Sequence, residues 1–337
     1  IKGKNPGSKV LFDGHIDTVP VGNLKDWKHD PFHAVVEEGK LYGRGSADMK
    51  GAVAAFTVAA HRYAVENGKN FAGDVYVAGV VHEECFEGVA ARKISEKVKP
   101  DYVVIGEASE MNLKVGQRGR AEIVVETFGV PAHSANPEKG VNAVYKMCEA
   151  IQAIREIEPP VQDKLGKGIL ELTDVKSSPY PGASVVPEYC RATYDRRLLV
   201  GETKESVLQP IIEKMEELKK KDPQFSYKVS YAVGKGECYT GEKIQGERFF
   251  PGWLFGAEEE WVAKIKSELE KEGFSPEVTT YNFCTNGSHY AGEADIRTIG
   301  MGPARENLAH TIDEYAEVKD LTNMSVCYAG IMKALLG

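Results

Sequence analysis

The sequence predicts an α/β protein of two domains, on the basis of three observations. Several short apolar runs end in histidine, aspartate or glutamate, which is typical of an α/β sheet with its site at the carboxyl ends of the strands. The middle of the chain follows the order β-α-β-β-α-β of a ferredoxin-like module. The length of 337 residues suits two domains. We expect a mixed central sheet flanked by helices over 1–114 and 233–337, with a ferredoxin-like α+β domain inserted at 115–232.

Composition and charge exclude several classes of protein. Hydrophobic residues make up 42% and charged residues 27% of the chain, which are ordinary values for a folded protein with a sizeable core. The net charge of −8, without any basic aromatic stripe, argues against a nucleic-acid partner. We expect no membrane partner, because no apolar run is long enough to span a bilayer. The six cysteines are scattered and form no C-x-x-C pair, so we expect reduced thiols and a cytoplasmic location.

The first chemical signal follows the apolar run at 10–12. Asp13 and Gly14 let the chain turn out of this strand, and His15 and Asp17 come next. Residues two apart in extended backbone project to the same side, so this imidazole and carboxylate emerge together. A carboxylate that holds one ring nitrogen fixes the tautomer of a metal ligand or a general base. The alternative is a polar turn after a core strand.

Asp48 is the second candidate, at the point where a glycine-rich turn enters a predicted helix over 49–67. The apolar residues Val53, Phe56 and Ala60 recur at helical spacing, and Gly68 suits the end of the helix. The simplest interpretation of Asp48 is an N-cap aspartate. A carboxylate here could also bind a metal.

Two further strands end in carboxylates. The β-rich run at 74–81 is followed by His82, Glu83 and Glu84, and the run at 102–106 by Glu107. Adjacent glutamates in a turn can diverge, so that one binds a metal and the other reaches a water there. The alternative is a solvated acidic turn. With His15, the pattern indicates a site at the carboxyl edge of a sheet.

The remaining elements complete the two domains. In the inserted domain we predict strands at 121–128, 169–175, 188–198 and 227–232, and helices at 141–154 and 204–220. A turn at 130–136 carries His133. We interpret 233–257, which is glycine-rich and aromatic, as a long surface connection. After it come a helix at 258–272, a loop at 283–287, a strand at 296–302, His310 and a last helix at 318–336.

These residues together resemble a known family. The ordered motifs are GHIDTVP, GRGSADMKG, HEE, GEAS, AHS, DRR and AHTIDEY. They are similar to those of the two-zinc hydrolases that include aminoacylase, glutamate carboxypeptidase, acetylornithine deacetylase and succinyl-diaminopimelate desuccinylase. The resemblance runs from Val10 to the C-terminus. Members have several dozen more residues before the first motif, so we expect a first helix and some strands of the catalytic domain to be missing from this sequence.

The resemblance implies a two-metal centre in the catalytic domain. It assigns one ion to His15, Asp48 and Glu107, and a second ion, bridged by Asp48, to Glu84 and His310. Carboxylates with one imidazole per ion suit two Zn²⁺, with Co²⁺ or Mn²⁺ also possible. Asp17 is expected to orient His15, and Glu83 to act as the general base toward a water shared by the ions.

The resemblance also implies residues for substrate and subunit contacts. His133 is expected to donate to the oxyanion, often from the partner subunit, and Arg197 to pair with a substrate carboxylate. For Arg197 the alternative is a surface charge at a strand end, and for His133 a loop histidine with a local hydrogen bond. We count Arg118, Ser184, Thr285 and Asn286 as further candidate substrate contacts. Ser184 and the pair Gln117-Arg118 depart from the usual family residues, which leaves the substrate open.

The expected function is therefore metal-dependent hydrolysis of the amide bond of a small N-acyl amino acid or dipeptide with a free carboxylate. We expect a homodimer joined through the inserted domain, which would also serve as a lid. A deacylase for another amide, such as a ureido compound, uses the same chemistry. The alternative from another class is a catalytically impaired relative that only binds metal and a ligand or partner.

Overall fold

The computed structural model describes all residues, 1–337, and divides into two compact units. The first comprises Ile1–Gln117, Lys235–Gln245 and Trp253–Gly337, and the second Arg118–Gly234 and Gly246–Gly252. The strands are β1 Asn5–His15, β2 Val35–Glu37, β3 Lys40–Tyr42, β4 Ala72–Val80, β5 Tyr102–Ile105, β6 Leu113–Gln117, β7 Gly119–Phe128, β8 Val161–Gln162, β9 Gly166–Lys167, β10 Ile169–Ser178, β11 Tyr189–Leu198, β12 Ser226–Tyr231, β13 Val233–Glu237, β14 Lys243–Glu247, β15 Phe249–Phe250, β16 Trp253–Leu254, β17 Val278–Tyr281, β18 Arg297–Gly300 and β19 Tyr315–Glu317. The helices are α1 Gly51–Glu66, α2 Val89–Val98, α3 Ala143–Arg155, α4 Lys204–Lys221, α5 Glu260–Lys271 and α6 Val318–Leu336.

A seven-stranded mixed sheet forms the centre of the first unit. Its order is β16-β6-β18-β5-β1-β4, with β17 also paired to β6. Strands β4, β1, β5 and β18 are parallel neighbours, whereas β6 is antiparallel to β18 and β16. Helices α1, α5 and α6 cover one face, and α2 covers the other. The predicted α/β class with a mixed sheet is confirmed.

Burial on both faces explains the apolar sequence of β1. Val10 and Phe12 pack into the core with α1 and α6, where Phe12 lies edge-on to Tyr328 at 5.5 Å between ring centroids. Leu11 packs into the opposite core with α2. A strand whose two faces are both covered needs apolar residues at successive positions, so its sequence is a continuous apolar run. Since β1, β4 and β5 are parallel and in register, their carboxyl ends lie at one edge of the sheet.

The second unit is built on a five-stranded antiparallel sheet. The order is β10-β11-β7-β12, with β15 paired to β7. Helices α3 and α4 supply Met147, Ile154, Ile211 and Met215 to its core. The order β7-α3-β10-β11-α4-β12 is that of a ferredoxin-like module, with the small hairpin β8–β9 added before β10.

The prediction that 233–257 forms a long surface connection is wrong. It contains four short strands, β13 to β16, and its aromatic residues Phe249, Phe250 and Trp253 are buried. Phe249 and Phe250 pair with β7 and so belong to the second unit, although the sequence assigned them to the catalytic domain. Strands of two residues have no hydrophobic period to detect.

No helix of the molecule has the length and apolar character that crossing a membrane requires.

Candidate metal centre

The carboxyl edge of the first sheet gathers imidazole and carboxylate groups. His15 ends β1 and is 1% exposed, and its Nε2 lies 2.9 Å from Asp48 Oδ1 and 3.5 Å from Glu107 Oε1. Burial lowers the pKa of His15, but Glu107 and the hydrogen bond to Asp48 outweigh it and raise that pKa well above its usual value. The imidazole therefore lies in a strongly negative environment.

Asp48 lies between two histidines. Its Oδ1 contacts His15, and its Oδ2 lies 3.0 Å from His310 Nε2. Burial raises the pKa of Asp48, but the hydrogen bonds to both histidines outweigh burial and lower the pKa below its usual range. Asp48 is not a helix cap, because α1 begins three residues later, at Gly51, and its N-cap residue is Lys50. The N-cap alternative is thereby excluded, and each carboxylate oxygen is aimed at a different imidazole.

Glu84 and His310 form the far side of the cluster. Glu84 Oε2 lies 3.1 Å from His310 Nε2, and the His310 side chain is 52% exposed. Hydrogen bonds to Asp48 and Glu84 raise the pKa of His310 to about 10. These two residues come from distant segments and meet only through the fold.

Glu83 and Glu107 are the most deeply buried carboxylates of the centre. Burial, reinforced by neighbouring carboxylates, raises the pKa of both well above the usual value. Glu83 Oε1 and Glu84 Oε1 are buried without any hydrogen-bond partner. Unpartnered buried carboxylate oxygens are costly, and a cation would relieve them.

The donor set fits divalent metal ions. The ligand atoms of His15, Asp48 and Glu84 lie within 4.8 Å of one another, and so do those of His15, Glu83 and Glu107. Four carboxylates share the cluster with two imidazoles, so it has an excess of negative charge. Oxygen and imidazole nitrogen ligands suit Zn²⁺, Co²⁺ and Mn²⁺.

Asp17 acts differently from the expectation. Its main-chain oxygen, not its carboxylate, lies 2.8 Å from His15 Nδ1, and its carboxylate is 3.8 Å from that nitrogen. The carboxylate accepts instead from the backbone N–H groups of Glu83 and Glu84, at 3.2 and 3.3 Å. Asp17 thus orients His15 through the main chain and holds the turn of the two glutamates with its side chain.

Thr285 and Asn286, counted as substrate contacts, have structural partners. Thr285 is fully buried and donates to Gln117 Oε1 at 2.7 Å. Asn286 is 2% exposed, donates to Asp13 Oδ1 at 2.9 Å and accepts from Gly88 N–H at 2.8 Å. Both side chains hold the loop at 283–287 against β6 and β1, and their role as substrate contacts stays a prediction.

The sequence missed two buried carboxylates beside the centre. Asp13 accepts from Asn286 and from the Tyr290 hydroxyl at 2.8 Å, and burial raises its pKa to about 6. Glu314, fully buried, accepts hydrogen bonds from the turn that carries Asp48. The only available signal was position, since Asp13 directly precedes the GHIDTVP motif and Glu314 lies inside AHTIDEY.

The other predicted residues belong to the second unit. His133 is exposed, and its Nδ1 accepts from the Ala135 N–H at 3.0 Å. Arg197 is partly exposed and donates to Asp195 at 2.7 Å. Arg118 donates to the Lys167 carbonyl at 3.0 Å. Ser184 is exposed with a φ of +58°.

Comparison with known proteins gives concordant matches along the chain. Residues 11–334 match the sequence profile of peptidase family M20/M25/M40. The uncharacterized protein YgeY of Escherichia coli (strain K12) is 31% identical over 332 residues, which cover 96% of this chain and 79% of that protein. Succinyl-diaminopimelate desuccinylase 2 of Ruegeria sp. (strain TM1040) is 27% identical over 344 residues, covering 98% and 81%. Among solved structures, aminopeptidase PepT of Bacillus cereus ATCC 10987 is similar with a TM-score of 0.73 and 19% identity, covering 99% of this chain and 83% of that one.

The profile match begins in β1, one residue after Val10, and ends within α6. It therefore includes every residue of the metal cluster, and the resemblance drawn from the motifs is confirmed. This chain belongs to peptidase family M20/M25/M40.

Proposed function

We propose that the protein is a metal-dependent hydrolase that cleaves the amide bond of a small N-acyl amino acid or dipeptide with a free carboxylate. The observation that carries the proposal is Asp48, whose two oxygens face two imidazoles in a buried, carboxylate-rich cluster. Family membership and the desuccinylase among the relatives support the reaction class.

The proposed metal ligands divide into two sets around Asp48. His15 and Glu107 would hold one ion, and Glu84 and His310 the other, with Asp48 shared by both. The distances to His15 Nε2 and His310 Nε2 support this division. When bound, the divalent ions polarise the amide carbonyl and lower the pKa of a water molecule.

Glu83 is the proposed general base. It is buried next to His15 and Glu107, yet its Oε1 has no hydrogen-bond partner. Its carboxylate takes a proton from the attacking water and returns that proton to the leaving nitrogen. The hydrogen bonds from the Glu83 and Glu84 N–H groups to Asp17 hold the turn in place during both transfers.

The proposed substrate contacts and the dimer involve the second unit. Arg197 would pair with the substrate carboxylate, and His133 would donate to the oxyanion from the partner subunit. Strand β10 supports dimerisation, because it lies at the edge of its sheet and exposes Ile169 and Val175. An exposed apolar edge is a liability unless paired, and a two-fold axis would pair two copies at once. Arg118 and Ser184 remain proposed contacts. A cytoplasmic location also stays a prediction, supported by the six cysteines, none of which forms a disulfide.

A substrate screen tests the function. Metal-free protein, reloaded with Zn²⁺, Co²⁺ or Mn²⁺, is assayed against N-acetyl, N-succinyl and N-carbamoyl amino acids and against dipeptides. We expect hydrolysis of at least one class, lost with chelator and restored by metal. Amides without a free carboxylate are the matched controls and should react poorly.

The second candidate is a relative that binds metal and ligand without turnover. All six proposed metal and base residues are present, which favours the enzyme. Tight binding of an N-acyl amino acid, seen by calorimetry with no product from any substrate class, would favour the second candidate.

A further inference from the structure

Glu314 is a buried carboxylate that holds the turn bearing Asp48. It is fully buried. Its Oε1 accepts from the backbone N–H groups of Ala47 and Asp48, at 2.8 and 3.0 Å. Its Oε2 accepts from the Gly45 N–H at 3.0 Å and from Arg44 Nη1 at 2.7 Å. One side chain therefore satisfies three backbone donors of a single turn.

The turn has two backbone hydrogen bonds of its own, from the Ser46 N–H to the Gly43 carbonyl at 3.0 Å and from the Lys50 N–H to the Gly45 carbonyl at 2.8 Å, and neither involves the N–H groups of Ala47 and Asp48. The hydrogen bonds of the Asp48 carboxylate go to His15 and His310, so the side chain is anchored only within the cluster. The position of the carboxylate then depends on the backbone at Asp48, and Glu314 accepts from that backbone directly. Without the carboxylate, three N–H groups would lose their acceptor, which favours rearrangement of the turn.

Glu314 also connects this turn to the segment that carries His310, which lies four residues before Glu314. Its carbonyl accepts from the Gly43 N–H at 3.0 Å, and the following strand β19 pairs with β3. Asp313 accepts from the Lys28 and His29 N–H groups at 2.9 and 3.0 Å. The segment carrying His310 and the turn carrying Asp48 are thus tied together through Glu314.

We infer that Glu314 is a positioning residue, which sets the Asp48 carboxylate between His15 and His310 and thereby determines metal affinity and turnover. This inference rests on the proposed two-metal function. Residues that hold a metal ligand in place are worth about 10–100-fold in metal affinity or activity. Both carboxylate oxygens of Glu314 accept from the turn and from Arg44, so its effect on the metal ligands must pass through the turn.

The test compares Glu314→Gln and Glu314→Asp with two controls. Gln keeps the shape but presents an NH₂ group to backbone donors, and Asp keeps the charge but is one methylene too short to reach all four donors. Arg44→Gln breaks the same ion pair and leaves the backbone hydrogen bonds. Glu202→Gln breaks a similar arrangement in the second unit, where Glu202 binds Arg196 and accepts from the Leu199 N–H at 2.7 Å.

Four experiments are carried out on each protein: chelator competition for the Zn²⁺ affinity of the metal-free form, the visible spectrum of the Co²⁺ form, denaturation for its midpoint, and steady-state kinetics for kcat and KM. We expect both Glu314 variants to bind Zn²⁺ about 10–100-fold more weakly and to show a changed Co²⁺ spectrum. Their kcat should fall by a larger factor than their KM changes. Both controls should lose stability while keeping the parent's affinity and spectrum.

Several outcomes would overturn the inference. Parental affinity and spectrum in Glu314→Gln, with stability alone reduced as in Glu202→Gln, would make Glu314 merely structural. Parental affinity in Glu314→Asp would mean that charge, not position, is responsible; this variant decides the question if Glu314→Gln does not fold. A parent protein that binds no Zn²⁺ would instead defeat the proposed function.

Discussion

Glu83 and Glu84 are neighbours in sequence but contact different groups. Glu84 reaches His310, whereas Glu83 lies with His15 and Glu107. This divergence comes from the short helical turn Glu83–Cys85, which begins after His82 in the left-handed region. Two adjacent carboxylates can therefore take two roles.

The first prediction separates these roles. Glu83→Gln keeps the size and polarity of the side chain but cannot accept the proton, so kcat should fall about 10²–10⁴-fold while metal content survives. Glu84→Gln should lower the occupancy of one metal. Metal analysis and steady-state kinetics on both variants provide the check. Exchanged phenotypes would mean that the base and the ligand have been assigned the wrong way round.

A second residue-scale prediction concerns Asp17. Asp17→Asn removes one of two acceptors for the Glu83 and Glu84 N–H groups, but leaves the main-chain oxygen that holds His15. Activity should fall about 10–100-fold, with a smaller change in Zn²⁺ affinity. Kinetics and chelator competition measure the two effects. Loss of metal with unchanged activity per bound metal would show that the Asp17 carboxylate acts mainly on His15.

At the scale of elements, an ion-paired cluster joins α2 to the turn Ser288–Glu293. Arg92 donates to both oxygens of Glu293, at 2.6 and 2.9 Å, and His289 Nδ1 lies 2.8 Å from Glu293 Oε2. Burial raises the pKa of Glu293, but the hydrogen bonds from His289 and Arg92 outweigh it and lower the pKa to about 2. The charged carboxylate therefore stabilises the folded state.

This depressed pKa predicts the pH dependence of stability. The folded-state pKa lies below the ordinary value of 4.5, so the contribution is complete above pH 4.5 and is lost as the pH falls toward 2. Glu293→Gln should lower the free energy of unfolding at pH 7, and the difference from the parent should shrink at pH 3.5. Urea denaturation at both pH values measures it. A difference that stays constant with pH would contradict the assignment.

How far the sequence predicts each element depends on how local its signal is. The histidine of the first motif and the glutamates of HEE and GEAS each follow an apolar run, and Asp48 follows a glycine-rich turn before a helical period, so these candidates could be predicted. Strands β15 and β16 were missed because they have two residues each and are held by pairing with β7 and β6. The partners of Asp17 and Glu314 are backbone N–H groups, whose directions depend on turn geometry that no residue pattern specifies.

At the scale of the whole molecule, His133 belongs to the second unit and the metal ligands belong to the first. If His133 acts in the partner's site, two inactive variants can complement each other. Glu83→Gln and His133→Ala, unfolded and refolded together, should form mixed dimers in which one of the two sites is intact, and activity should reappear. The two variants carry different affinity tags, and two successive affinity steps isolate the mixed dimers for the assay.

Each variant refolded alone is the control for this complementation. Activity of the isolated mixed dimers no higher than that of the parents would show that His133 acts within its own chain or not at all. A protein that stays monomeric at all concentrations would contradict the proposed dimer itself.

The two-metal centre is tested most directly by a Zn²⁺ titration of chelator-stripped protein, monitored by calorimetry and by metal analysis after gel filtration. Five ligand residues with Asp48 shared predict two ions bound per chain, and hydrolytic activity that rises with their binding. The excess of buried carboxylates favours this binding, since the proposed base Glu83 and the proposed ligand Glu84 each have a buried oxygen without a hydrogen-bond partner. A chain that retains no Zn²⁺ after such loading would contradict the metal centre and the function derived from it.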